Sequence, residues 1–128
     1  MALGIATVGR RKFATNLVWQ VSPSGQVVNA AKEAAKQSDA EYTSIRMGTK
    51  SGRLPQFGLG SSRSGHTLGM PALAVTVANR LPGSWAGAFK VREGIYFVSV
   101  RDDLIMPEGD MLFMDEVEAR QRLLQEIN

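Results

Sequence analysis

The chain has 128 residues, 44% hydrophobic and 21% charged, with a formal net charge of +3, no cysteine and one histidine, His66. This is a globular composition for one domain, residues 1–128; it excludes a disordered chain, a collagen-like repeat and a coiled coil, and it leaves no disulfide, thiolate or multi-histidine metal site. The charge is uneven: residues 1–101 carry thirteen Lys/Arg and four Asp/Glu, residues 102–128 two and eight, so +9 and −6 sum to +3.

In chain order, Leu3 to Val8 reads as a short apolar strand, Gly9-Arg10-Arg11 as a turn and Lys12 to Val21 as a second strand, together a hairpin. Ser22-Pro23-Ser24-Gly25 breaks it. Val27 to Gln37 is alanine-rich and predicts a helix with Val28, Ala31, Ala34 and Ala35 on its apolar face. Tyr42 to Met47 and Leu54 to Leu59 predict strands around the polar turn Gly48 to Gly52. Gly60 to Gly69 reads as a loop. Pro71 fits the first turn of a helix that carries Leu73, Ala74, Val77 and Leu81. Trp85 to Val91 and Ile95 to Arg101 predict a second hairpin turning at Glu93-Gly94. Pro107-Glu108-Gly109-Asp110 reads as a turn. Asp115 with Glu118 three residues on marks the start of a last helix, with Val117, Leu123, Leu124 and Ile127 inward. The order ββαββαββα predicts a mixed α+β fold.

No run is apolar enough to span a bilayer: the longest charge-free stretch, Phe13 to Ala31, is interrupted by Asn16, Gln20, Ser22 and Gln26. Arg10, Arg11 and Lys12 follow an apolar stretch too short for a signal peptide. The expectation is a soluble, unexported domain.

Motifs for chemistry are sparse. His66 lies beside serines, but sequence adjacency makes no catalytic dyad, and it reads as a loop histidine. Asp102-Asp103 and Glu108-x-Asp110 read as acidic turn residues rather than an acid/base pair or a cation site. The glycine-rich run Gly58 to Gly65 lacks the Gly-Lys-Ser/Thr ending of a phosphate loop and the spacing of a dinucleotide fingerprint. Trp19, Trp85, Phe89, Tyr96 and Phe97 fall on predicted strands, and Trp85 and Phe89 share strand parity with Gly87 rather than with a lysine or arginine, so the aromatics read as core and not as a nucleic-acid platform. Arg46, Lys50, Arg53 and Arg63 have no acid near them in sequence. They form the candidate partner-binding surface, suited to an acidic partner.

Five phrases, taken in order, resemble a family: Asn16-Leu17-Val18-Trp19-Gln20, Gly69-Met70-Pro71-Ala72-Leu73-Ala74, Leu81 to Phe89, Gly94 to Asp102, and Ile105-Met106-Pro107-Glu108-Gly109-Asp110. Their order and spacing are similar to the N-terminal region of PilO-type pilin accessory proteins of type IVb pilus assembly, over most of the chain from Lys12 on. The resemblance implies the cytoplasmic domain of a bacterial inner-membrane protein, cut before a transmembrane helix and a periplasmic part. It also implies a fold like part of an actin-like ATPase. In that superfamily the first hairpin carries Asp-x-Gly, whose carboxylate organises Mg²⁺ and phosphates; here the turn reads Thr7-Val8-Gly9. The expected function is therefore a non-catalytic scaffold with no cofactor and no metal. Its expected partners are the assembly ATPase and inner-membrane platform components, and a homodimer is also open. A nucleotide-binding regulatory module using Gly58 to Gly65 is the alternative, followed by a nucleic-acid-binding basic domain.

Overall fold

A computed structural model describes residues 4–22, 26–50 and 52–127. Leu3, Pro23 to Gly25 and Ser51, and the side chain of Ile127, lie outside the described residues. The elements are β1 (Ile5–Val8), β2 (Arg11–Ala14), β3 (Val18–Val21), α1 (Val27–Ser38), β4 (Tyr42–Arg46), β5 (Gln56–Gly60), a 3₁₀ turn (Ser62–Ser64), α2 (Leu73–Ala78), β6 (Trp85–Val91), β7 (Gly94–Arg101), β8 (Leu104–Phe113) and α3 (Glu116–Ile127). The fold is mixed α+β, as the sequence order predicts, but built on three small antiparallel sheets: β1–β2, β3–β5–β4 and β6–β7–β8.

Two strands differ from expectation. The segment 12–21 is not one strand but two, because Asn16 takes a left-handed backbone (φ 61°) and turns the chain between β2 and β3. Its side chain holds the corner: Asn16 Oδ1 accepts from the Leu112 amide at 3.0 Å. The second difference is at Pro107 to Gly109, which is not a turn but an irregularity inside β8. Val98 pairs with Asp110 and Val100 with Ile105, so extra β8 residues stand opposite Ser99. β8 is an edge strand, where a proline removes no ladder hydrogen bond. A side chain at Gly109 would meet Ser99 O at 2.5 Å, so glycine is required where the bulge crosses β7.

The helices also shift. In α1, Val27 and Ala31 are buried against Phe57 and Leu59 of β5, while Val28 is exposed. Its C-terminus closes on Asp39 in a left-handed conformation (φ 57°). Helix α2 begins at Leu73, so Pro71 is not in its first turn. Pro71 O instead accepts from the Ala14 amide at 2.8 Å, and Leu81 lies beyond the helix end. In α3, Asp115 caps the start through the Val117 amide at 2.9 Å. Its inner face is Ala119, Arg122, Leu123 and Glu126, with Val117 and Leu124 exposed. Polar groups dock it: the Arg122 guanidinium lies 4.5 Å from the Phe97 ring centroid and Glu126 accepts from Ser99 Oγ at 2.5 Å. That use of Arg122 and Glu126 displaces the apolar face that periodicity alone predicts.

The main core gathers Phe13, Leu17, Trp19, Tyr42, Leu73, Tyr96, Val98, Val100 and Ile105 between the sheets. Trp19, Tyr96 and Phe97 are buried as expected of core aromatics. Trp85 and Phe89 meet edge to face on β6, where Phe89 is 40% exposed.

Candidate interaction surface

The four candidate cations are not one patch. Arg46 is 2% exposed, which withdraws it from any contact surface. Its guanidinium donates to Gln56 Oε1 at 2.9 Å, Asn79 Oδ1 at 2.9 Å, Asp103 O at 2.6 Å and Asp103 Oδ1 at 3.3 Å. Arg53 reaches the other oxygen of Asp103 at 2.9 Å and Met47 O at 2.6 Å. Asp103, distant in sequence, is thus the shared acid of two guanidiniums. Burial lowers the Arg46 pKa, the neighbouring Arg53 charge adds to that, and Asp103 opposes both. The cluster pins the β7–β8 turn to β4 and β5 through Gln56, which also bonds both backbone groups of Ile105.

Lys50 and Arg63 are exposed. Arg63 stands 3.7 Å from Asp39, both side chains largely in solvent, a pairing worth little. It stands on the rim of a groove of about 420 Å³. Edge strand β3 supplies one wall through Val18 and Gln20, the end of α1 a second through Asp39, and the Ser61–Ser64 turn the third. Val18, Gln20, Phe57 and Leu59 share a sheet face by register, and α1 covers only the β4–β5 part of it. That leaves Val18 56% exposed. A second groove of about 520 Å³ runs from Val18 to Glu108, Phe113 and Arg122, between β3, β8 and α3.

The glycine-rich run does not form a phosphate cradle. Gly58 and Gly60 are strand residues of β5. A Cβ at Gly58 would come within 3.0 Å of the Trp19 indole, and one at Gly60 would collide with the His66 ring. The small residues make room for two buried rings. His66 is buried: Nδ1 accepts from the Ser61 amide at 3.0 Å, so Nε2 carries the proton and faces Gly4 O at 3.0 Å and Thr15 O at 2.8 Å. The ring staples the start of β1 and the β2–β3 corner to the end of β5. Near the first hairpin turn, Glu93 directs both carboxylate oxygens at Thr7, at 2.7 Å to its amide and 2.6 Å to its hydroxyl. Burial works to raise the Glu93 pKa, but the Thr7 bonds outweigh it and hold the group below the ordinary range.

Asp110 is the polar residue that sequence reading misplaced. It is 2% exposed and accepts from Trp19 Nε1 at 2.8 Å, Tyr96 OH at 2.7 Å, and the amides of Asn16 at 3.1 Å and Leu17 at 3.2 Å. Burial raises its pKa against the pull of those donors, and the Tyr96 hydroxyl is pushed well up by its own burial beside the acid. All four of these donors are internal, so Asp110 joins β3 and the β2–β3 corner to β7 and β8. The described residues hold no group of three or more His, Asp or Glu placed to bind a metal ion.

No protein-family model matches the chain, and no curated protein matches it. Its fold is similar to a solved structure, the cytoplasmic domain of BfpC, at a TM-score of 0.76 and 22% identity. The likeness covers 97% of this chain and 75% of that one. The similarity in fold therefore extends over almost the whole of this chain and three quarters of the other. Among the described residues, no helix is long and apolar enough to cross a membrane.

Proposed function

We propose that this chain is a non-catalytic scaffold domain of a type IV pilus assembly protein, whose work is to bind other components of the assembly machinery. The fold shared with the cytoplasmic domain of BfpC, a type IV pilus assembly protein, carries this reading. The phrases similar to PilO-type proteins support it, because three of them meet in space. Trp19 comes from the first, Tyr96 from the fourth and Asp110 from the fifth, and all three share one buried hydrogen-bond centre. The resemblance therefore lies in the residues that hold the fold.

The non-catalytic reading rests on where polar groups are used. The carboxylate beside the first hairpin, Glu93, is bound to Thr7, and the glycines of β5 pack against rings. The domain works at the cytoplasmic face of the inner membrane and meets the assembly ATPase or platform components. Exposed Val18, between two grooves at a sheet edge, is the element best placed for added-strand recognition. Co-expression with the assembly ATPase and platform components, followed by co-purification, tests the proposal. A complex weakened by Val18→Asp supports it. ATP turnover by the purified domain, with no complex formed, overturns it.

A further inference from the structure

We propose that the tip of the β1–β2 hairpin and the adjoining β6–β7 turn form a docking surface for the anionic headgroups of a lipid bilayer. Arg10 lies in the first turn with Arg11 and Lys12 starting β2 after it, Arg92 lies in the second turn with Lys90 near the end of β6 before it, and all five are exposed. The two turns are tied together: Thr7 donates twice to Glu93, and the Arg92 amide donates to Thr7 O at 3.3 Å. That tie turns the one acid of these turns inward and leaves its basic neighbours outward. Among the described residues none of the five cations makes an ion pair. The next acids along the fold, Asp115 and Glu116 after β8, are engaged within α3, with the Val117 amide at 2.9 Å and Arg120 at 3.5 Å.

The shape decides the class of partner. The cations stand in or beside two turns, and Val8, 48% exposed, ends β1 directly opposite Arg11. Long basic side chains around an apolar tip suit a layer of phosphates that each cation reaches independently, with Val8 entering the interface. A nucleic acid would be held by aromatic platforms beside the cations. Here the one ring in contact, Phe13, is buried under Arg11 at 5.3 Å. An acidic protein would be met through a packed centre. The two grooves lie beside Val18, and none of the five cations lines either of them.

The test is co-sedimentation with vesicles of phosphatidylcholine alone and of phosphatidylcholine and phosphatidylglycerol in equal parts. The native chain should partition onto the anionic vesicles only, and less as salt rises. Each cation near such a surface contributes about fivefold in partition, so R10S/K12S/R92S should lose on the order of 100-fold. Arg11 is left in place because it packs on Phe13. The charge-matched variant K32S/K36S/R80S, exposed cations on other elements, should lose far less. Thermal unfolding of both variants checks that each is folded. Equal loss in the two variants means net charge alone is responsible and overturns the proposal. So does an absence of partitioning while a polyglutamate peptide shifts the NMR amide signals of residues 9–12, which assigns the patch to an acidic protein.

Discussion

The indole N–H of Trp19 donates to the carboxylate of Asp110 at 2.8 Å, joining residues 91 positions apart. Trp19 belongs to the sheet that α1 covers and Asp110 to the sheet that α3 covers, so one buried acid couples the two halves. Tyr96 OH and the amides of Asn16 and Leu17 complete the set of donors. Asp110→Asn keeps the volume but turns an NH₂ group toward donors, leaving at least one of them buried and unpaired. We expect a loss of about 2–3 kcal/mol and a fall in Tm of about 10 °C, measured by circular dichroism. An unchanged Tm would show that the contact contributes nothing net.

This residue also marks how far the sequence could be read. Pro-Glu-Gly-Asp has every local sign of a turn, and nothing within five residues signals that Asp110 is buried. Its donors come from β3 and β7, and a single sequence does not display such pairings. Arg46 was misread for the same reason: its acid, Asp103, is 57 positions on. Features set by short range were legible. The hairpin 85–101, helix α1 and the Asp115 cap of α3 follow from turn chemistry, alanine content and capping. The left-handed Asn16 that splits β2 from β3 was not legible, because the apolar pattern continues through it.

The shared acid of Arg46 and Arg53 sets a second expectation. Asp103→Asn removes the charge that two guanidiniums face, and Arg46 is buried. The variant should lose about 3 kcal/mol, since one partner of a buried pair is left uncompensated. Arg53→Ala should cost about 1 kcal/mol, because Arg46 keeps its bonds to Gln56 and Asn79. Urea unfolding measures both. Equal costs would mean that Arg46 does not depend on Asp103.

Gly58 distinguishes packing from ligand binding. A methyl group there would press on the Trp19 indole at 3.0 Å and on Leu17 Cβ at 3.1 Å. Gly58→Ala should therefore destabilise the domain by about 1–3 kcal/mol. Thermal shift with ATP and Mg²⁺ should be flat for both the native chain and the variant. A nucleotide-dependent rise in Tm that Gly58→Ala abolishes, with the fold retained, would return this strand to a phosphate-binding role.

The acid limb of stability should carry the signature of Glu93 and Glu126. Both carboxyls are held below their ordinary value of 4.5: Glu126 chiefly by the Ser99 hydroxyl, and Glu93 by the Thr7 bonds that outweigh its burial. A depressed carboxyl contributes stability that is present above 4.5 and is lost as pH falls through the lower folded value. Asp110 works in the opposite sense. Its raised pKa makes the folded state bind the proton first, so its contribution grows as pH falls through that raised value toward 3.8. Urea midpoints measured across the acid range should therefore separate the variants. Glu93→Gln lowers stability at neutral pH, and its deficit shrinks as pH falls below the ordinary carboxylate value, because the native chain loses the same Thr7 bonds to protonation. Asp110→Asn shows a deficit that widens over the acid range, because the native chain gains there what an amide cannot. A Glu93→Gln deficit that stays constant with pH would place the whole effect in side-chain packing and none in charge.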